Sequence, residues 1–128
     1  MSQDAAPNEA TLLVQRQLDA YNDRAVDAYM ACWAEDAEYY EFPSKLLAQG
    51  AAEIRQRHVA RFSETNLHAT LVKRINVGNL VIDQETVTRT FPEGPGDFDA
   101  IAIYEVVDGK IAKAWFKMGS PRLHPTSV

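Results

Sequence analysis

The chain has 128 residues, of which 46% are hydrophobic and 24% charged, and its net charge is −5. This length allows one domain with its own core, and the acidic balance argues against a nucleic-acid-binding surface. No apolar run is long enough for a membrane span, and residues 1–10 lack the pattern of a signal peptide, so we expect a soluble cytoplasmic protein. A single cysteine excludes an internal disulfide framework, and no metal-binding or phosphate-loop motif is present.

The first predicted helix follows a short, flexible N-terminus of residues 1–7. Asn8 is suited to cap this helix, because its side chain can accept a hydrogen bond from the first turn. Leu13 and Tyr21 lie on one apolar stripe, and Gln17, four residues from each, falls within it. A polar side chain in such a stripe is either satisfied inside the core or faces a pocket.

Two further helices are predicted before the chain changes period. Asp23 is suited to cap the second, whose apolar face runs as far as Trp33. The third helix is expected to begin after Gly50, and its stripe contains His58 and Phe62. A histidine on an apolar stripe is either a core residue with satisfied hydrogen bonds or part of a pocket wall.

An early strand is predicted between the second and third helices, and Pro43 ends it. Alternation places Ala37, Tyr39 and Glu41 on one face of this strand. Glu41 is then either a solvated rim residue or a carboxylate that faces a pocket.

After the third helix the hydrophobic pattern changes to a period of two, which is typical of strands. Together with the three helices and the early strand, the later strands define a single α+β domain over residues 8–118, with a C-terminal tail at 119–128. The four later strands are predicted at residues 67–77, 79–91, 98–107 and 110–118, with turns at Gly78-Asn79, Glu93–Gly96 and Asp108-Gly109.

The strand at 98–107 is apolar on both faces, so a second surface must cover one of them. We expect Asp99 and Ile101 to face the interior. A homodimer is then predicted through the outer face of the sheet. That face is expected to carry Ala100, Ala102, Tyr104 and Trp115.

Three segments carry a resemblance to a known family. They are AYNDRAVDAYMACWAEDAEYYEFP, LAQGAAEIRQRH and FDAIAIYEVVDGKIAKAWF, and they occur in the family's order and at its separations. The chain resembles the SnoaL-like, ketosteroid-isomerase-like branch of the NTF2-like superfamily. The resemblance implies a cone, in which a curved, mostly antiparallel sheet wraps around three N-terminal helices and leaves an apolar pocket open at one end.

The resemblance also implies a catalytic pair. Glu41 falls where ketosteroid isomerases carry the base that moves a proton between carbons. Asp99 falls where they carry a protonated acid that donates to the enolate oxygen, which requires a raised pKa.

Further positions of the family pattern fall on the three predicted helices. Gln17 stands in place of the oxyanion-hole tyrosine, with Tyr21, one turn on, as the alternative. His58 and Trp33 stand where two supporting tyrosines are found. The remaining expected pocket residues are Tyr39, Phe62, Ile101, Phe116 and Met118.

The function implied is a cofactor-independent isomerase or lyase of the steroid Δ-isomerase type, acting by proton transfer on a small hydrophobic carbonyl compound. The expected partners are that ligand and a second copy of the chain, with no nucleic acid or membrane. A non-catalytic module that binds a small apolar ligand is the alternative. A limonene-type epoxide hydrolase would need an Asp–Arg–Asp relay, for which Arg89 with Asp99 is the candidate pair.

Overall fold

The computed structural model describes residues 8–125, which form three helices and one curved sheet. The predicted flexible N-terminus at 1–7 and the last three residues of the predicted tail lie outside this range. The helices are α1 (Glu9–Asn22), α2 (Val26–Met30) and α3 (Ala51–Arg61). The strands are β1 (Trp33–Glu41), β2 (Lys45–Gln49), β3 (His68–Val77), β4 (Leu80–Phe91), β5 (Gly94–Val107), β6 (Lys110–Met118) and β7 (Arg122–Leu123).

The sheet has the order β2-β1-β6-β5-β4-β3, with β7 added on β5. Strands β1 and β6 are parallel, and every other pair is antiparallel. Buried residues of the helices and of one sheet face form a single core. The predicted α+β cone is therefore confirmed. No helix among residues 8–125 is both long enough and apolar enough to cross a membrane.

Most predicted helix and strand boundaries have the expected local causes. Asn8 accepts a hydrogen bond from the backbone N–H of Thr11, as an N-cap does. Gly50, with φ of 87°, precedes α3. Asp108 and Gly109 both have positive φ, which is the conformation of a two-residue hairpin turn.

Several boundaries differ from those predicted. Trp33 begins β1 instead of completing the face of α2, and α2 follows Ala25 without a side-chain cap. The glycine-rich turn predicted at 93–96 lies mostly inside β5, because Gly94 already pairs with Phe91. Gly96 is needed within that strand, since a Cβ there would lie 2.4 Å from the carbonyl oxygen of Arg122.

Two strands were not predicted. Strand β2 forms a hairpin with β1, and β7 pairs with the first part of β5. Residues 119–125 of the predicted tail thus belong to the folded domain. The backbone N–H of Gly119 donates to the carbonyl of Asp99 over 2.7 Å.

The two faces of β5 are the reverse of those predicted. Ala100, Ala102 and Tyr104 are buried on the inner face, whereas Ile101 is 37% exposed on the outer face. Alternation separates the faces of a strand without saying which is inner. Here the small alanines lie on the concave side, which leaves room for the helices and a cavity.

The outer face carries an apolar row that crosses six strands. Its members are paired directly across each strand boundary, and none is a charged residue. We call this row the outer belt: Ile75, Ile82, Ile103, Trp115, Tyr40 and Leu46. Tyr40 and Trp115 stack with an interplanar angle of 11°. A continuous apolar row on an exposed sheet face is typical of a protein–protein contact.

Charged residues flank the outer belt asymmetrically. Lys73 and Lys117 lie one row to one side of it, whereas Glu38, Glu105 and Lys113, which pairs with both glutamates, lie one row to the other. A twofold axis along the belt sets the two lysines of one copy against the second row of the other copy, which has one more acid than base. We propose that the homodimer forms through this belt. Of the four residues predicted on the outer face, Trp115 lies there. Ala100, Ala102 and Tyr104 lie on the inner face instead.

This proposal predicts that Ile103→Arg yields a monomer, because a guanidinium at the centre of the belt would be buried without a partner. The measurement is the molar mass by light scattering on a sizing column, with twice 14.3 kDa expected for the unsubstituted chain. Thr70→Arg, on the outer face but away from the belt, is the matched control and should remain dimeric. An unsubstituted chain that is monomeric at micromolar concentration would contradict the proposal.

Candidate functional site

A cavity of about 220 Å³ lies between the helices and the inner face of the sheet. For scale, a dry cavity of about 150 Å³ in another protein binds benzene. The volume therefore suits a compound of one or two rings better than a four-ring steroid. Helix α1 contributes Gln17 and Tyr21 to the wall, and β1 contributes Tyr39.

Six of the nine predicted pocket residues line this cavity. They are Gln17, Tyr21, Tyr39, His58, Phe116 and Met118. Two others, Trp33 and Phe62, are buried next to it and pack against Tyr29. Ile101 is directed to the outer face, for the reason given above.

Glu41 lies outside the cavity. It pairs with Phe116 in the parallel β1–β6 ladder, so it continues the inner side of β1. However, the strand ends at this residue, the side chain is exposed, and the cavity wall does not include it. The expectation that Glu41 faces the pocket is therefore wrong, and it has the position of a solvated rim residue.

Asp99 also lies away from the cavity, because it is on the outer face of β5. Its side chain is 59% exposed, and both carboxylate oxygens accept hydrogen bonds from Arg122 over 3.0 Å. These bonds hold the pKa of Asp99 below its usual value. That is the opposite of the raised pKa that an acid donating to an oxyanion requires. The two predicted catalytic carboxylates do not meet.

The relay considered for an epoxide hydrolase does not form either. Arg89 lies on the inner side and donates to both carboxylate oxygens of Glu64, over 3.2 and 3.0 Å. Asp99 is on the opposite face of the sheet, with Arg122. The nominated pair is thus separated by the sheet itself.

The carboxyl group that does line the cavity belongs to Glu85, on the inner face of β4. It is 7% exposed. Burial, followed by the nearby charge of Asp83, raises the pKa of Glu85 to about 7. The guanidinium of Arg74 acts in the other direction but does not offset these effects. Glu85 is therefore close to half-ionised at neutral pH.

Asp83 and Arg74 form a buried ion pair beside Glu85. Asp83 is fully buried and accepts two hydrogen bonds from Arg74, over 2.6 and 2.9 Å. Arg74 also donates to Gln15 over 2.8 Å. A β-bulge between Leu71 and Lys73 moves Arg74 onto the inner face, opposite Asp83. The guanidinium of Arg74 thus serves as the direct partner of Asp83.

Sequence reasoning missed Glu85, although the chain carries a signal for it. Asp83 and Glu85 alternate with Gln84 and Thr86 and are bracketed on their own face by Val81 and Val87. Two acids between two valines of the same parity indicate buried carboxylates. The bulge that brings Arg74 to Asp83 has no comparable signature.

His58 lies in a cluster of aromatic rings and makes two hydrogen bonds. Its Nδ1 lies 2.8 Å from the carbonyl oxygen of Ile54 and its Nε2 lies 3.1 Å from the hydroxyl of Tyr29. A carbonyl oxygen only accepts, so Nδ1 carries the proton and donates. Burial lowers the pKa of His58 to about 4, so the ring is neutral and Nε2 accepts from Tyr29. His58 holds Tyr29 and is not a proton carrier at neutral pH.

Three arginines contribute to the rest of the wall. Arg57 lies over the ring of Tyr39, 5.3 Å from its centre. Arg61 donates to Glu64 over 3.1 Å, and Arg89 bonds the same carboxylate. Across residues 8–125, no three His, Cys, Asp or Glu side chains are grouped so that they could hold a metal ion.

Comparison with known protein families supports the fold described above. The profile of the SnoaL-like domain matches residues 14–114. The chain therefore belongs to the SnoaL-like domain family, within the NTF2-like superfamily. No curated protein sequence matches the chain.

Solved structures share the fold at low sequence identity. An uncharacterized cystatin-fold protein from Novosphingobium aromaticivorans has a TM-score of 0.77 and 23% identity, covering 87% of this chain and 98% of that one. An LEH-like epoxide hydrolase from M. tuberculosis has a TM-score of 0.76 and 17% identity, with coverages of 87% and 83%. A hypothetical protein with a ketosteroid isomerase-like fold from Catenulispora acidiphila, solved in complex with trimethylamine, has a TM-score of 0.70 and 15% identity, with coverages of 81% and 82%. These likenesses establish the fold alone.

The raised pKa of Glu85 predicts a specific pH dependence of stability. Its pKa is about 7 in the folded chain and 4.5 at its ordinary value, so the folded state holds a proton that the unfolded state releases as pH rises from 4.5. Stability that is fully present below pH 4.5 is lost as pH rises to about 7, by roughly 2 to 3 kcal/mol.

The measurement is the free energy of unfolding by urea at pH 4.5 and pH 8, compared with Glu85→Gln. The unsubstituted chain should lose more stability between the two pH values than Glu85→Gln does. Glu41→Gln is the matched control and should follow the unsubstituted chain. Equal pH dependence in the Glu85 variant and the unsubstituted chain would show that Glu85 titrates normally.

Proposed function

We propose that this chain is a cofactor-independent enzyme that moves a proton within a small hydrophobic carbonyl compound, as an isomerase or lyase, with Glu85 as its acid–base group. The observation that carries the proposal is a buried carboxyl group in an aromatic cavity with a pKa of about 7. A group that takes up and returns a proton is most effective when its pKa is near the working pH.

The cavity offers hydroxyl donors for the enolate oxygen that such a reaction develops. Burial raises the pKa values of Tyr21 and Tyr39, so both phenols keep their protons and can donate. Tyr29 differs, because its hydroxyl already donates its hydrogen bond to His58 Nε2. Donors fixed before the reaction in a site of low polarity are those that stabilise a developing charge most.

Arg57 supports this role for Tyr39. Its positive charge favours the ionised form of the phenol and partly opposes the effect of burial on the Tyr39 pKa. A phenol polarised by a guanidinium is a stronger hydrogen-bond donor to an oxyanion than an isolated one. Tyr39 is therefore the oxyanion donor in the proposed reaction, in place of the expected Gln17.

The alternative, a non-catalytic binding module, predicts that Glu41 is solvated and that Asp99 is in a salt bridge. Both arrangements are found. What favours an enzyme is Glu85, since a cavity that only held an apolar ligand would gain nothing from burying a carboxyl group at a cost in stability. The two functions are separated by a test of proton transfer.

The experiment is the exchange of α-protons of 2-tetralone, a two-ring ketone, in deuterated buffer, followed by proton NMR. Conversion of small β,γ-unsaturated ketones to their conjugated isomers, followed by ultraviolet absorbance, is the second assay. Glu85→Gln should lower the enzymatic rate by about 10² to 10⁴ with little change in KM. Glu41→Gln is the control and should be fully active.

The pH profile gives a further check. Because the ionised form of Glu85 accepts the proton, kcat/KM should rise with pH and level off above a pKa of about 7. A chain that catalyses neither exchange nor isomerisation of these ketones, yet binds them, would support the binding module. An active enzyme that is indifferent to Glu85→Gln would remove Glu85 from the mechanism.

A further inference from the structure

The cavity wall is more basic than the chain as a whole. Arg57 and Arg61 are one turn apart on α3, and Arg89 faces the same cavity from β4. Against these three guanidinium groups the wall carries one carboxyl group, Glu85, whereas the whole chain has a net charge of −5. A basic recess in an acidic protein concentrates positive electrostatic potential, and this potential attracts anions to the recess.

Two of the three arginines are already paired with one acid. Glu64 accepts from Arg61 over 3.1 Å and from Arg89 over 3.2 and 3.0 Å. Its pKa is held below its usual value, although its own partial burial acts in the opposite direction. This triad has a complete structural explanation and needs no ligand.

Arg57 is different. It forms no salt bridge with any carboxylate in the part of the chain that the structure describes. Arg55, two residues before it on the same helix, pairs with Asp27 on the outer surface. Arg57 instead contributes to the cavity wall while remaining exposed, so a ligand entering from solvent can reach it.

The contact with Tyr39 fixes the guanidinium at the edge of an apolar platform. Arg57 lies over the Tyr39 ring at 5.3 Å, and Phe116 packs against the same ring with centres 4.5 Å apart. A guanidinium held by an aromatic ring keeps N–H donors at its edge for a planar, two-oxygen acceptor. The group that matches those donors is a carboxylate.

We propose that the ligand of this cavity is a small hydrophobic acid of one or two rings, whose carboxylate is bound by Arg57 at the mouth while the ring lies among Tyr21, Tyr39 and Phe116. The inference rests on the proposed function in taking this cavity as the substrate site. A carboxylate held at the mouth fixes which end of the molecule is inside, and so which carbon is presented to Glu85.

The test is equilibrium binding of two probes of equal shape, 2-naphthoate and 2-naphthamide, measured by calorimetry. The unsubstituted chain should bind the acid about tenfold or more tightly than the amide. Arg57→Gln should remove that preference by lowering the affinity for the acid alone, and Arg57→Lys should restore part of the preference. Arg55→Gln is the matched control and should bind both probes as the unsubstituted chain does.

Three results would overturn the inference. They are equal affinity of both probes for the unsubstituted chain, no binding of either probe, or an equal loss of affinity for the acid and the amide in Arg57→Gln. The last would mean that Arg57 only holds Tyr39 in place. Thermal unfolding of each variant verifies that it is folded, which is expected for an exposed helix position. Because binding is read without turnover, failure here leaves the proton-exchange assay of the proposed function independent.

Discussion

The site depends on the buried ion pair between Arg74 and Asp83. Two acids lie two residues apart on the inner face of β4, and only one has a cation that bonds it directly. Breaking a buried ion pair of this kind costs about 3 to 5 kcal/mol, so the pairing is firmly fixed. The consequence falls on Glu85, which is left buried beside a negative charge. Burial first, and the neighbouring charge of Asp83 second, therefore raise the pKa of Glu85 to about 7.

The fold around this pair could be predicted to a large extent. The helical stripes, the two tight turns with positive φ and the change to a period of two all have local causes, and the structure contains them. What could not be predicted was which face of β5 is inner, because both faces are apolar. The strands β2 and β7 are short, with five and two residues, and pair only through the tertiary fold.

The candidate site was predictable on the helices and only in part on the sheet, where Tyr39, Phe116 and Met118 line the cavity as expected but the carboxylates do not. Gln17, Tyr21 and His58 follow from helical periodicity, which identifies a face without any knowledge of the partner. The carboxylates were assigned by matching positions to a family pattern, and each was misplaced for a distinct physical reason. Glu41 lies at the end of β1, outside the cavity. Asp99 lies on the outer face of β5 and not on the inner one. Glu85 could be read from the alternation of β4, whereas its pairing environment could not, because the bulge in β3 that brings Arg74 inward to Asp83 has no sequence signature.

The proposed chemistry requires that Glu85 titrates near neutral pH inside the cavity. The most direct measurement is a carbon-13 NMR titration of the glutamate side-chain carboxyl groups, with the Glu85 signal assigned by its loss in Glu85→Gln. We expect a midpoint at about pH 7 for Glu85, well above the ordinary value of 4.5. A Glu85 midpoint between pH 4 and 5 would contradict it, and with it the assignment of Glu85 as the acid–base group.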